Sequence, residues 1–202
     1  MDKFLSLNDG SIHMFVISDL ESCSEALNQW KEVLLREGIK EMRLTPHGLG
    51  KKNMWKVPSA FSNLLCLREV EFARCKIELP PSFEGFKLLK SLKLEWVTIS
   101  EGNLTKLISG CLLLENLSLL SIMRGAINIT IDALKLKEVH MICREFNHIS
   151  LRTPSLVRAC LSLRTNIQTP CQSNLTDLLD GLPNLESLCL DGRSTRVIRF
   201  LS

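Results

Sequence analysis

Three side chains in one short stretch, His140, Cys143 and His148, are of the types that bind zinc. A structural zinc site takes four Cys or His ligands, set in closely spaced pairs. Only three candidates cluster here. The eight cysteines, Cys23, Cys66, Cys75, Cys111, Cys143, Cys160, Cys171 and Cys189, contain no C-x-x-C pair. No metal and no cofactor is therefore expected. Glu69 and Glu71 raise a second chemistry, acid–base catalysis. That needs a carboxyl whose proton affinity is tuned by its surroundings. Two residues apart on an extended segment, the pair shares one face, and surface charge is the simpler reading. No Gly-rich phosphate loop, nucleophile elbow or dinucleotide fingerprint occurs. The chain is expected not to be an enzyme.

The elements that position these residues follow from composition and period. Hydrophobic residues make up 45% of the 202, yet there are only 8 Phe, 3 Trp and no Tyr. Leu, Ile and Val must fill the core, which suits thin repeated layers. Lys and Arg number 25 against 22 Asp and Glu, for a net charge of +3, with the two signs interspersed. Nucleic-acid binding calls for a clustered basic face and is not expected. No apolar stretch approaches the ~20 residues that cross a bilayer, so no membrane role is expected.

The template Φ-x-x-Φ-x-Φ, with Φ apolar, recurs eight times. It falls at Ile12-Phe15-Ile17, Ile39-Met42-Leu44, Leu67-Val70-Phe72 and Leu89-Leu92-Leu94, and again at Leu114-Leu117-Leu119, Leu136-Val139-Met141, Leu156-Ala159-Leu161 and Leu185-Leu188-Leu190. The spacing between successive starts matches that of leucine-rich repeats, roughly 20–29 residues. The last two apolar positions are two apart and face one side of a short strand. The first packs inward as the chain turns. One such unit cannot bury its apolar face alone, but stacked units share a continuous core. The expected fold is therefore an α/β leucine-rich-repeat solenoid running over residues 1–202 as one domain. About eight short parallel strands line its concave side, near 12–17, 39–44, 67–72, 89–94, 114–119, 136–141, 156–161 and 185–190. Helices or irregular segments form the convex side.

The connectors agree. Ser22 and Glu25 form a capping box ahead of Leu27, Trp30 and Leu34, and Gly38 ends that helix. Ser100 opens a second, with Leu104, Leu107 and Ile108 inside and Gly110 as its stop. Leu175, Leu178 and Leu179 make a third, closed by Gly181 and Pro183. Val57-Pro58 and Pro80-Pro81 predict extended or single-turn connectors, because proline removes a backbone donor and restricts the residue before it. Cys75 with Ile77, and in part Val97 with Ile99, extend the repeat template beyond the strand. Most of the cysteines are expected to be small buried hydrophobes in a reducing compartment. No secretory leader is evident at Met1, so the sequons at Asn103, Asn116, Asn128 and Asn174 are read as coincidence. The expected location is the cytoplasm, the nucleus or both. The apolar ends, Phe4-Leu5 with Leu7 and Val197-Ile198 with Phe200-Leu201, predict a longer domain or a cover, since solenoids need polar caps.

The third and fifth template positions point away from the core, onto the concave face. They hold a surface of mixed sign, and the expected contact residues for a protein partner are Glu41, Arg43, Glu69, Glu71, Lys93, Asn116, Glu138, His140 and Arg158. The patch of Glu69 and Glu71 beside Arg43 and Lys93 ranks first among them.

The stretch PPSFEGFKLLKSLKLEWVTISEGNLTKLISGCLLLENLSL, from Pro80 to Leu119, resembles the repeat region of plant F-box/LRR proteins, especially those that also carry an FBD segment. The phrases Pro-Pro-Ser-Phe-x-Gly-Phe and Leu-Ile-Ser-x-Cys-x-Leu-Leu-Glu are its most specific parts. The resemblance extends over nearly the whole chain. It implies the substrate-recognition half of a cullin-type ubiquitin ligase. Neither an F-box nor an FBD segment is recognisable in these residues, so a Skp-type adaptor is not expected to bind this chain alone. Two other readings follow: a stand-alone repeat protein that competes with longer relatives, or a fragment of an intracellular immune receptor.

Overall fold

The computed structural model describes residues 12–18, 24–45, 54–122, 128–144, 148–164 and 181–191. Eight strands form one parallel sheet: β1 (Met14–Ile17), β2 (Glu41–Leu44), β4 (Glu69–Ala73), β6 (Ser91–Glu95), β8 (Asn116–Leu120), β10 (Glu138–Arg144), β12 (Arg158–Arg164) and β13 (Ser187–Leu190). They lie side by side in chain order, β1-β2-β4-β6-β8-β10-β12-β13. Each begins on the third position of its six-residue template, two residues after the leading apolar one. The register joins equivalent positions, so Leu92 pairs with Leu117 and Lys93 with Ser118. The fold is the leucine-rich-repeat arc that the triplets predict.

The alternation builds the core layer by layer. Met42, Leu44, Leu92, Leu94, Leu117, Leu119 and Met141 point inward and are buried, as do the leading residues Ile39, Leu67, Leu89, Leu114, Leu136 and Leu156. A repeated corner follows three of the strands. Arg74, Trp96 and Ser121 each take a positive φ, of 51°, 53° and 59°. This left-handed backbone costs about 1–2 kcal/mol per non-glycine residue. It is offset by continuation of the ladder, with each of these amides donating to the next strand, at Glu95 O, Leu120 O and Ile142 O.

After the corners the chain forms further short strands. β3 (Trp55–Lys56), β5 (Cys75–Ile77) and β7 (Thr98–Ile99) make one parallel sheet, and β9 (Asn128–Asp132) and β11 (His148–Arg152) a second. These short strands stand beside the helices and irregular segments expected on the convex side. Cys75, Ile77 and Ile99 are buried with Lys76 outward between the first two, the period-2 pattern of a half-buried strand. A 3-10 turn (Ser59–Asn63) after Pro58 matches the single-turn connector expected there. Among the described residues no helix is long and apolar enough to cross a membrane.

Helix α1 (Ser24–Glu37) ends at Gly38, whose φ of +64° supplies the left-handed cap. Helix α2 (Glu101–Ser109) opens as expected: Ser100 Oγ accepts a hydrogen bond from Asn103 N–H, and Leu104, Leu107 and Ile108 are buried. Ser100→Ala is expected to cost about 1 kcal/mol in a chemical-denaturation titration. Gly110 has an ordinary helical φ of −73°. It is a glycine for a different reason, close approach to Gly85, whose φ is +100°. The Ser22–Glu25 capping box, the third expected helix and both apolar ends lie outside the described residues.

The cysteines divide. Cys75, Cys111 and Cys143 are buried, as expected, whereas Cys66 and Cys189 are exposed and Cys160 is half-buried. Cys23 and Cys171 lie outside the described residues. Burial pushes the Cys111 thiol up to about 11, that of Cys143 up to about 12, and that of Cys75 higher still. A thiol held neutral in the fold but able to ionise once unfolded gives stability that is complete below the ordinary value of 9.0. That stability is lost as pH rises toward 11–12. Melting temperature is thus expected to be flat in these thiols from pH 7 to 8 and to fall by pH 10. Serine or alanine at all three positions should flatten the alkaline fall.

Candidate protein-docking face

The in-register strands set the outward residues in rows that run across the sheet. The first row is Met14, Glu41, Glu69, Ser91, Asn116, Glu138, Arg158 and Ser187. The second is Val16, Arg43, Glu71, Lys93, Ser118, His140, Cys160 and Cys189. All nine expected contact residues stand in these two rows.

Toward the N-terminal side the charges pair with one another. Arg43 Nη2 lies 3.6 Å from Glu41 and 3.7 Å from Glu69. Lys93 Nζ lies 2.7 Å from Glu71 and 3.3 Å from Glu95. The Glu71 carboxylate, through its hydrogen bond, holds the Lys93 ammonium above its usual range. Each pair is open to water, so it contributes only about 0–1 kcal/mol to stability and is cheap to rearrange. Five expected residues, Glu41, Arg43, Glu69, Glu71 and Lys93, are engaged in these pairs, and Glu95 joins them.

Toward the C-terminal side the rows open into a hollow of about 280 Å³. Asn116, Ser118, Glu138, His140, Arg158 and Cys160 contribute to its lining. The short side chains of Ser118, Cys160, Ser187 and Cys189 leave the space, and Arg158 ion-pairs with Glu138 at its edge. At the strand starts Glu115 is held between Lys90, at 3.0 Å, and Lys137, at 2.7 Å. Those two ammonium groups, Lys137 first, bring its carboxyl down to about 2.

A third outward row, beyond the reach of the template, includes Glu95, Leu120, Ile142 and Ser162, because β10 and β12 run to seven residues. Ser162 Oγ donates to Asp191. The sequence carried a signal for this row, in the continued alternation Met141-Ile142-Cys143 and Leu161-Ser162.

The imagined zinc ligands are separated by the same alternation. His140 is exposed on the concave face, Cys143 is buried beneath it, and His148 lies on β11 in another sheet. Among the described residues no three His, Cys, Asp or Glu side chains gather where they could hold a metal ion.

The family model for the leucine-rich repeats of the FBD-associated F-box protein At5g56370 matches residues 27–174. That span is well over half of the chain. The chain belongs to this F-box/FBD/LRR family. A member from Arabidopsis thaliana, the F-box/FBD/LRR-repeat protein At1g13570, is 35% identical over 191 residues, which cover 91% of this chain and 44% of the relative. The chain thus spans less than half the length of that relative. No solved structure matches it.

Within the family's repeat region the two most family-like phrases pack against each other. Gly85 of Pro-Pro-Ser-Phe-Glu-Gly-Phe meets Gly110 of Leu-Ile-Ser-Gly-Cys. Lys106 Nζ donates to the carbonyls of Pro80, at 3.2 Å, and Pro81, at 2.8 Å. Phe83 and Phe86 are buried edge to face, with ring centroids 5.3 Å apart. The phrases mark a joint between consecutive repeats and lie away from the concave rows. The build as a whole is that of a protein-interaction module, a broad, largely polar face over an apolar core.

Proposed function

We propose that the concave rows are the docking face for a protein partner, and that this chain is the substrate-recognition arm of an F-box-type ubiquitin ligase. The observation that carries the reading is the pair of in-register rows, charged at one side and hollow at the other, on a chain of the F-box/FBD/LRR family. Extended faces of this kind are what solenoids use for binding. The loosely paired charges of Arg43, Glu69, Glu71 and Lys93 suit a partner surface of mixed sign, because exchanging one weak ion pair for another costs little. In this reading residues 1–202 act as one repeat domain, in the cytoplasm or nucleus. Ligase assembly through a Skp-type adaptor depends on an F-box joined to this arm.

The test is affinity capture from plant extract with the wild-type chain and two charge-reversed forms. Glu69→Lys with Glu71→Lys should lower recovery of the specific partner about 10-fold or more, while Lys76→Glu, on the convex β5, should leave it unchanged. Equal recovery with the concave double variant, its melting temperature intact, would remove the reading. For the ligase half, a partner that accumulates when the arm is joined to an F-box, rather than being degraded, would contradict it.

A further inference from the structure

We propose that Cys160 and Cys189 are a peroxide-sensitive dithiol that closes reversibly to an intramolecular disulfide in the wall of the concave hollow. Two neighbouring strands carry them at the same register position, Cys160 on β12 opposite Cys189 on β13. Paired residues on adjacent strands are about 4.8 Å apart, within the 4.4–6.8 Å range of Cα separations across a disulfide. Both side chains point outward, and the Cys189 thiol lies within hydrogen-bonding reach of Cys160. Both line the hollow, with Cys189 exposed and Cys160 half-buried, so a small oxidant can reach them. Cys75, Cys111 and Cys143 are sealed in the core, out of reach of an oxidant.

Closure needs the Cβ atoms drawn to about 3.8 Å, closer than undisturbed strand spacing gives. β13 is placed to move. Among the described residues it is the last strand of the sheet, with a neighbour on one side only. Its inward Leu188 is 36% exposed, whereas the register partner Ala159 on β12 is 3% exposed. A bond made by such adjustment stores strain and is readily reduced, the property of a regulatory disulfide.

The chemistry balances with hydrogen peroxide as oxidant. The Cys189 thiolate attacks one peroxide oxygen, the O–O bond breaks, and a sulfenic acid forms with release of hydroxide, which takes up a proton as water. The Cys160 thiolate then attacks that sulfur, the S–O bond breaks, and the second oxygen leaves as water once protonated. Two thiols are oxidised by two electrons and one peroxide is reduced to two waters. Thiol–disulfide exchange with glutathione restores the pair. Formation of the bond does not rest on the reading of the concave face given above.

The experiment is intact-mass spectrometry of the denatured full chain after brief exposure to hydrogen peroxide and thiol blocking. The wild type should lose two mass units and two blockable thiols, both restored by glutathione. Cys160→Ser and Cys189→Ser should each abolish the loss, and Cys171→Ser, the cysteine between them in the sequence, should keep it. Circular dichroism of the reduced variants should match the wild type, since both positions face outward. A wild type that keeps its mass, a loss that persists in Cys160→Ser or Cys189→Ser, or a Cys189 that gains two oxygens without cross-linking would each overturn the proposal.

Discussion

Gly85→Ala is expected to lower the melting temperature of the chain by about 10 °C, the equivalent of ~3 kcal/mol in a domain of this size. Two effects act together. The backbone at Gly85 has φ of +100°, a region that side-chain-bearing residues rarely adopt. A Cβ there would also stand 2.0 Å from the Gly110 carbonyl oxygen and 2.5 Å from its Cα. Backbone cannot rotate out of the way as a flexible side chain does, so the Pro80–Phe86 segment must lift off the end of α2. That motion would break the Lys106 bonds to Pro80 and Pro81 and open the Phe83–Phe86 pair. Gly38→Ala is the control. It shares the positive φ, but its Cβ would meet the Cys66 sulfur at an ordinary 3.7 Å, and it should cost about 1 kcal/mol. Thermal melts of the two variants side by side check the distinction. Equal, small losses would mean that Gly85 and Gly110 are not in contact.

Leu94→Ala should destabilise the chain by about 2–5 kcal/mol, while Lys93→Ala, one residue earlier, should change it by less than ~1 kcal/mol. Leu94 is fully buried between Phe72 and Leu119, its register partners on β4 and β6's other neighbour, β8. Removing its branched end leaves a hole in a layer shared by three strands, and close-packed layers collapse only partly into such a hole. Lys93 points the opposite way, into weak ion pairs with Glu71 and Glu95. The contrast is read in urea titrations of both variants. A large loss at Lys93 or a small one at Leu94 would mean that the strand faces the other way.

Much of this architecture was legible in the residues. The strand positions followed from the triplets, and the start of α2 from Ser100, because both depend on local period and local capping. The outward rows were equally legible, since alternation on a strand leaves no choice of face. Other features depend on contacts between segments far apart in sequence. Nothing local in Phe-Glu-Gly-Phe says that Gly85 will touch Gly110, 25 residues on. The convex strands β9 and β11 carry the alternations Ile129-Thr130-Ile131 and Ile149-Ser150-Leu151, but they lie outside the triplet template and, among the described residues, pair only with each other. The hollow was hidden for a similar reason. It comes from small side chains in adjacent repeats, Ser118, Cys160, Ser187 and Cys189, which matter only once the register sets them side by side. The expectation that most cysteines are buried failed at Cys66, Cys160 and Cys189. The last two occupy the outward template positions, where alternation itself places them in the open.

The most direct measurement is site-specific photo-crosslinking in plant extract, with the photoreactive residue at one position at a time. Placed at Glu71 or His140, in the second concave row, it should yield one discrete adduct, the same from both sites. Placed at Lys76 or Thr98, on the convex strands, it should yield none. A partner captured from the convex positions and absent from the concave ones would contradict the assignment of the docking face.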